Sequence, residues 1–225
     1  MFLIAIDGPA GSGKGTIAKK VAEKLCIINI DTGAMYRCIT LYSIKHNINK
    51  QNSVRLIEEL ENILIDFKEI EGKQHVFLNG EDVTTEIRSE MVNNIVSDIS
   101  GIQEIRKRMV ILQRRLAKDK NVIMEGRDIG TTVFPNANVK IYLDADVEER
   151  AKRRYKEYTE KGIETSFDEV RESIIKRDEK DSSRKFGALK MADDAIRVDT
   201  TNLEIEQVVK NVIDIIKEKG WKKDA

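Results

Sequence analysis

A chain of 225 residues is long enough for one main domain with an inserted or appended module, and its 35% charged residues balance to a formal net charge of zero. That balance argues against a general nucleic-acid binder, and no aromatic platform interleaves the basic residues to stack on bases. No apolar run approaches a membrane span, and residues 2–6 are too short for a signal peptide, so a cytoplasmic protein without membrane contact is expected. Cys26 and Cys38 sit inside periodic apolar segments and read as small buried hydrophobes, not as disulfide or metal residues.

In chain order, residues 2–6 (FLIAI) read as a fully buried strand, and GPAGSGKGT over 8–16 follows directly. The run fits G-x-x-x-x-G-K, except that Gly15 stands where Ser or Thr is usual and Thr16 comes one step later. Its glycines let the backbone curl around an anion with N–H groups pointing inward. Lys14 adds a mobile positive charge at the start of a helix whose apolar face is Ile17, Val21, Ala22 and Leu25. Strand, glycine turn and helix in that order point to an enzyme that handles a nucleoside phosphate. Residues 27–30 form a second strand, after which Asp31-Thr32-Gly33 opens a helix. Thr32 and Tyr36 share a face of that helix, with Arg37 adjoining. The trio suits a base and its phosphate, although Thr32 would equally serve as the helix cap.

Residues 37–100 read as an insertion at the edge of the active site. Within it, 65–70 and 75–78 flank a Gly72 turn, and Asn79-Gly80 makes a second turn, giving a small antiparallel patch. Ile105, Met109, Leu112 and Leu116 then stripe a long helix. Further strands follow at 122–124, 139–143 and 195–198, separated by helical stretches, so an α/β fold with a parallel sheet covered on both faces is expected. Helix starts are marked by Asp146 with Glu149, Ser166 with Glu169 and Thr201 with Glu204. The last helix directs Leu203, Val208, Val212 and Ile216 to the core. His46 and His75 fall on surface positions away from any site.

Moving a phosphoryl group gathers negative charge, and the chain has arginines where that charge would be met. Arg127 and Asp128 follow the strand at 122–124, at the end of a strand where open sheets bind ligands. Arg150, Arg153 and Arg154 crowd one helical face, an arrangement that costs about 0.2–0.5 kcal/mol per like-charged pair unless an anion lies opposite. Arg150 is open to either reading, a solvated face or a site. Arg177, Asp181 and Arg184 repeat the pattern at one-turn spacing. Either carboxylate, Asp128 or Asp181, could accept from a donor group of a bound substrate, and either could instead fix arginines. A nucleotide-gated switch is the competing class, but so many arginines suit a second anionic substrate better than a hydrolytic water.

The ordered set IDGPAGSGKGT, IDTGAMYR, LNGEDVTTEIR, EGRDIGTTVFPNANVKIYLDA, EERAKRR and IIKRDEKDSSR resembles the bacterial cytidylate kinases, nucleoside monophosphate kinases related to adenylate kinase, over essentially the whole length. The resemblance implies a P-loop nucleoside-triphosphate-binding fold with a five-stranded parallel sheet. Residues 1–36 and 101–225 would form the core, 37–100 the monophosphate-binding region with its antiparallel sheet, and about 155–165 a short lid with Gly162 as hinge. It implies ATP as phosphate donor, CMP or dCMP as acceptor, Mg²⁺, and a monomer acting on small molecules. Gly8, Pro9, Ala10, Gly11, Ser12, Gly13, Lys14, Gly15 and Thr16 would hold the ATP phosphates, with Thr16 also on the metal. Thr32, Tyr36, Arg37, Ser97, Arg106, Arg127, Asp128, Arg177, Asp181 and Arg184 match positions lining the monophosphate pocket. Lys14, Arg127, Arg184 and the lid residues Arg153 and Arg154 would act on the transferring group. Two departures stand out: Ala10 where some members have Ser, and Glu125 where Asp commonly precedes GRD.

Overall fold

A computed structural model describes residues 1–48 and 53–222; residues 49–52, within the expected 37–100 insertion, and 223–225 lie outside it. The elements in chain order are β1 (Leu3–Asp7), α1 (Lys14–Leu25), β2 (Ile28–Asp31), α2 (Thr32–Lys45), α3 (Ser53–Glu59), β3 (Ile65–Ile70), β4 (Lys73–Leu78), β5 (Glu81–Asp82), α4 (Glu90–Ile99), α5 (Gln103–Ala117), β6 (Val122–Gly126), β7 (Val139–Asp144), α6 (Val147–Glu160), α7 (Phe167–Ser182), β8 (Ile196–Asp199) and α8 (Ile205–Glu218). The chain divides into two compact units, residues 1–30 with 116–225, and residues 31–115.

The first unit is built on a five-stranded sheet in the order β2-β6-β1-β7-β8. Strand β1 is buried along its whole length because it lies between two parallel neighbours, Ile4 opposite Ile123 on one side and Val139 on the other. A strand enclosed in this way has no solvent face, so its apolar residues run continuously and do not alternate. Helices α1 and α8 pack on the sheet through Ile17, Val21, Val208, Val212 and Ile216, which share one core with Ile4, Ile6, Ile123, Ile141 and Val198. Helices α6 and α7 form a smaller cluster of their own from Ala151, Val170 and Ile174, with Tyr158 and Phe167 against it. Placing β1 between β6 and β7 makes neighbours of the loops that leave their carboxyl ends, where open α/β sheets bind ligands.

The second unit contains the antiparallel sheet β3-β4-β5, with Ile65 opposite Leu78 and Ile70 opposite Lys73. Glu71-Gly72 and Asn79-Gly80 make its two turns with positive φ at both residues, the geometry that matches strand twist in tight hairpins. The two-residue strand β5 after the second turn, paired as Phe77 with Asp82, is an addition to the expected pair. Asp31 caps α2 by accepting from the Ala34 N–H at 2.9 Å, so Thr32 is not the cap. Among the described residues no helix is long and apolar enough to cross a membrane.

Several local expectations are corrected. The capping box of Ser166 and Glu169 forms, but Asp146 makes no side-chain cap, and α8 starts later, with Glu204 and Gln207 as its box. Leu203 therefore precedes α8 and is partly exposed. Cys38 is buried as expected, whereas Cys26 is exposed, because α1 ends at Leu25 and the left-handed backbone of its cap takes Cys26 out of the helix's apolar face. Ile216 is fully buried between α8 and the sheet core. Replacing it with Ala should lower unfolding stability by about 2–5 kcal/mol, read as a drop in the urea midpoint with unchanged slope.

Candidate active site

The phosphate loop connects β1 to α1, and Gly13 occupies the N-cap of α1 without a side-chain cap, so the first-turn N–H groups of the helix have no side-chain acceptor at the cap. Ser12 Oγ is buried in the loop with no hydrogen-bond partner. Lys14 is buried, and its Nζ donates to the Pro9 carbonyl at 3.0 Å, closing the loop on itself. Burial, then the nearby charges of Arg127 and Arg177, lower the Lys14 pKa, while Glu125 and Asp181 oppose them. A loop so arranged has donors and a cation ready for phosphate oxygens, which would restore the charge of Lys14.

Gly15, the departure within the loop, is explained by Glu125, the departure at the end of β6. A Cβ at position 15 would stand 2.8 Å from Glu125 Oε1, too close for a side chain unless the glutamate moved. The longer carboxylate and the missing side chain are one packing solution.

On the same face of the unit, Asp181 gathers the arginines. Arg127 Nε donates to its Oδ2 at 3.0 Å, Arg184 Nη2 lies 2.7 Å from its Oδ1, and Arg177 Nε is 3.9 Å away. Its side chain is 1% exposed. Burial alone would raise the Asp181 pKa, but Arg127, Arg184 and Arg177 outweigh it and hold the carboxyl below the ordinary value of 3.8. Arg127, Arg177 and Arg184 are thus gathered round one carboxylate, an arrangement that concentrates cationic groups where an anion could be met. Asp128 is buried, and its carbonyl accepts from Thr132 and Val133 in a wide helical turn over Ile129–Val133. That turn is held by Asp7, a residue that sequence reasoning passed over. Its carboxylate accepts from the Ile129 and Gly130 N–H groups at 2.8 and 2.7 Å. Burial lifts the Asp7 pKa to about 6 against these bonds. Asp7 was invisible as a site residue because it lies between the apolar run at 2–6 and the glycine loop at 8–16 and belongs to neither signal.

Arg153 donates to Thr200 through Nη1 to the hydroxyl at 3.1 Å and Nη2 to the carbonyl at 2.7 Å, while Arg154 pairs with Glu157 and lies over the Tyr158 ring. The two neighbours therefore do different things. A cleft of about 520 Å³ opens beside the loop between Gly13, Thr16, Arg153, Thr200, Leu203 and Ile205. Its apolar wall after β8 had no signal in the sequence beyond the core stripe of α8. In residues 31–115, Arg106 is buried, donates to the Ser100 carbonyl at 3.2 Å and lies 5.2 Å over the Tyr36 ring. Arg37 donates to Asn93 Oδ1 at 2.6 Å and to the Ile87 carbonyl at 3.2 Å, Thr32 is buried, and Ser97 Oγ is buried with no hydrogen-bond partner. His46 is exposed and stacks on Tyr42, and His75 pairs with Asp82 in the small sheet, so neither histidine belongs to the loop or the arginine cluster.

A parallel sheet whose first strand runs through a glycine loop into an uncapped helix, with a buried arginine cluster beside it, defines a phosphate-loop kinase of the α/β class. The solved structure of an uncharacterized protein from Eubacterium ventriosum shares the fold, with a TM-score of 0.54 at 13% identity, over 96% of this chain and 99% of that one. A family model described as cytidylate kinase matches residues 4–218. A cytidylate kinase of Fusobacterium nucleatum is 52% identical over 208 residues, 92% of this chain and 94% of that one, and a cytidylate kinase of Caldicellulosiruptor bescii is 49% identical over 212 residues, 94% of each. The chain belongs to the cytidylate kinase family.

The Asp181 hub carries a pH signature. Because the folded state holds this carboxyl below its ordinary 3.8, the ion pairs contribute fully above that value and are lost as pH falls through the lower folded one. Removing one partner of a buried charge cluster costs about 3–5 kcal/mol. The stability gap between the wild type and Asp181→Asn, measured by urea unfolding, should be of that size at neutral pH and shrink in acid. A gap that stays constant into acid would count against the hub.

Proposed function

We propose that the chain transfers the γ-phosphoryl group of ATP to CMP or dCMP, giving ADP and CDP or dCDP. The observation that carries this reading is the uncapped phosphate loop in the same unit as the arginine hub on Asp181, one suited to each of two anionic partners. Family membership supports the acceptor, since the matched relatives are named cytidylate kinases. In this reading the loop over residues 8–16 holds the donor phosphates through Ser12 Oγ, Lys14 and its N–H groups, apart from Pro9, which has none, and Ala10, which donates to Asp178, and the cleft beside Thr200, Leu203 and Ile205 takes the donor's base. Arg127, Arg177 and Arg184, with Thr32, Tyr36, Arg37, Ser97 and Arg106 of residues 31–115, bind the monophosphate. Residues 37–100 are then the monophosphate-binding insertion, and the turn between α6 and α7 is the lid, within about 155–165.

The donor set fits magnesium held chiefly by substrate phosphates and water. Among the described residues no group of three or more carboxylate, histidine or cysteine side chains could cage a metal, whereas Thr16 presents a hydroxyl on the cleft wall. When bound, the ion would neutralise charge on the transferring phosphates, with Thr16 as its protein ligand. The protein's own share is positioning and charge. Lys14 meets the oxygens on which charge develops, and Arg153 and Arg154 close the water out as the lid comes down. The protein would do this as a cytoplasmic monomer.

Base choice falls to Asp128. Both Asp181 oxygens already face arginines, Oδ2 facing Arg127 and Oδ1 facing Arg184, so Asp181 orients cations, and Asp128 is the carboxylate to accept from the cytosine N4 amino group. Uracil presents an acceptor at that position and is repelled.

Assaying ATP with a panel of nucleoside monophosphates tests the reading: CMP and dCMP should have the highest kcat/KM, and a preference for AMP or a non-nucleotide acceptor would overturn it. Asp128→Ala should narrow the CMP-to-UMP ratio of kcat/KM by about one to two decades, the cost of an unmet buried polar group. Lys14→Ala should lower kcat by about two to three decades if it acts as one strong electrostatic donor, with the fold unchanged by circular dichroism.

A further inference from the structure

Arg150 sits near the start of α6 and is 5% exposed, although nothing in its sequence position requires it to be buried. Its Nε donates to the Ala145 carbonyl at 2.9 Å. Its Nη1 reaches the Ala10 carbonyl at 3.0 Å and Asp178 Oδ2 at 2.5 Å. Asp178, on α7, turns its other oxygen to the Ala10 N–H at 3.1 Å. A guanidinium and a carboxylate thus hold the carbonyl and the N–H of one residue in the middle of the phosphate loop. Gly11, next in the chain, has φ +78, and a Cβ there would stand 3.1 Å from Arg150 Cβ, so the loop lies directly on α6 at this point.

A buried ion pair is expensive to desolvate and is weak evidence for stability by itself. Nor is this pair needed to join α6 to α7. Those helices already share the cluster of Ala151, Val170 and Ile174, and Glu148 pairs with Arg171 across their exposed side. What Arg150 and Asp178 add is contact with the loop. We propose that Arg150 and Asp178 are positioning residues that brace the two peptide groups on either side of the Ala10 Cα, preorganising the phosphate loop and tying it to the two helices that flank the 161–166 turn. The pair touches no substrate in this account. It acts by preventing the loop from relaxing when no phosphate is bound, so that donor binding does not bear the cost of ordering the backbone. The inference rests on the reading of the loop as the donor phosphate site.

The test compares the wild type with Arg150→Met, Asp178→Asn, the double variant, and Arg171→Met as a control that breaks only the exposed pair between the same helices. Calorimetric titration with ATP, separate KM values for ATP and CMP, and amide hydrogen exchange at Ala10 in the ligand-free protein are measured. Loss of hydrogen bonds to a charged group predicts that each brace variant weakens ATP binding roughly tenfold or more. Ala10 exchange should quicken and KM for CMP stay within about twofold, and the double variant should be little worse than the worse single one, since the pair acts as a unit. Arg171→Met should leave ATP binding within about twofold, because exposed pairs contribute little. Asp178→Asn keeps shape and one acceptor oxygen and carries the test if Arg150→Met does not fold. Unchanged ATP affinity in the brace variants, equal losses in Arg171→Met, or a parallel rise in KM for CMP would each overturn the brace. A wild type that fails to bind ATP would overturn the donor-site reading, and the brace with it; a wild type that binds ATP no better than the brace variants overturns the brace alone.

Discussion

Cations can be assembled ahead of their anionic ligand only if something holds them together against mutual repulsion without neutralising them. In this protein that something is Asp181. Arginines from the end of β6, from α7 and from just beyond it meet on its carboxylate, and their charges hold it ionised although burial favours the acid. Lys14 has its proton loosened first by its own burial and then by Arg127 and Arg177, a cost that a bound phosphate would remove. Site electrostatics and fold stability are therefore joined at one buried side chain.

The phosphate loop meets the complementary constraint: backbone N–H groups must point at a ligand and not find partners at home. The chain achieves this by committing other polar groups to the loop's outer side. Lys14 closes it through the Pro9 carbonyl, Thr200 reaches the Ser12 carbonyl at 3.3 Å, and Arg150 and Asp178 hold Ala10. Gly15 and Glu125 meet on the inner side, where a Cβ at position 15 would stand 2.8 Å from Glu125 Oε1. Departures that look independent along the sequence are a single contact in space.

Residues 31–115 follow another logic. Their small sheet is set by two tight turns with glycine at the second place, and α2 starts where Asp31 caps it. Arg106 is buried against Tyr36 and the Ser100 carbonyl, so an aromatic face and a backbone acceptor help to position its charge.

The sequence by itself determined the parts whose chemistry is local. The order of apolar strands, the glycine loop running into α1, the hairpin turns, the Ser166 capping box and the residue types around GRD and KRDEKDSSR are properties of short segments, legible because periodicity and turn preference act over a few residues. What tertiary structure alone decided are the pairings between segments far apart in the chain. Asp7 is an unremarked acid between the apolar run at 2–6 and the glycine loop until Ile129 and Gly130 donate to it. Arg150 reads as either face of a helix until Asp178 and Ala10 meet it. Asp181 reads as one of two acidic candidates until Arg127 and Arg184 are seen to meet on it. Burial and long-range hydrogen bonding set those roles, and neither is a function of sequence distance: a side chain's charge state and partners depend on what the fold brings within a few ångströms of it.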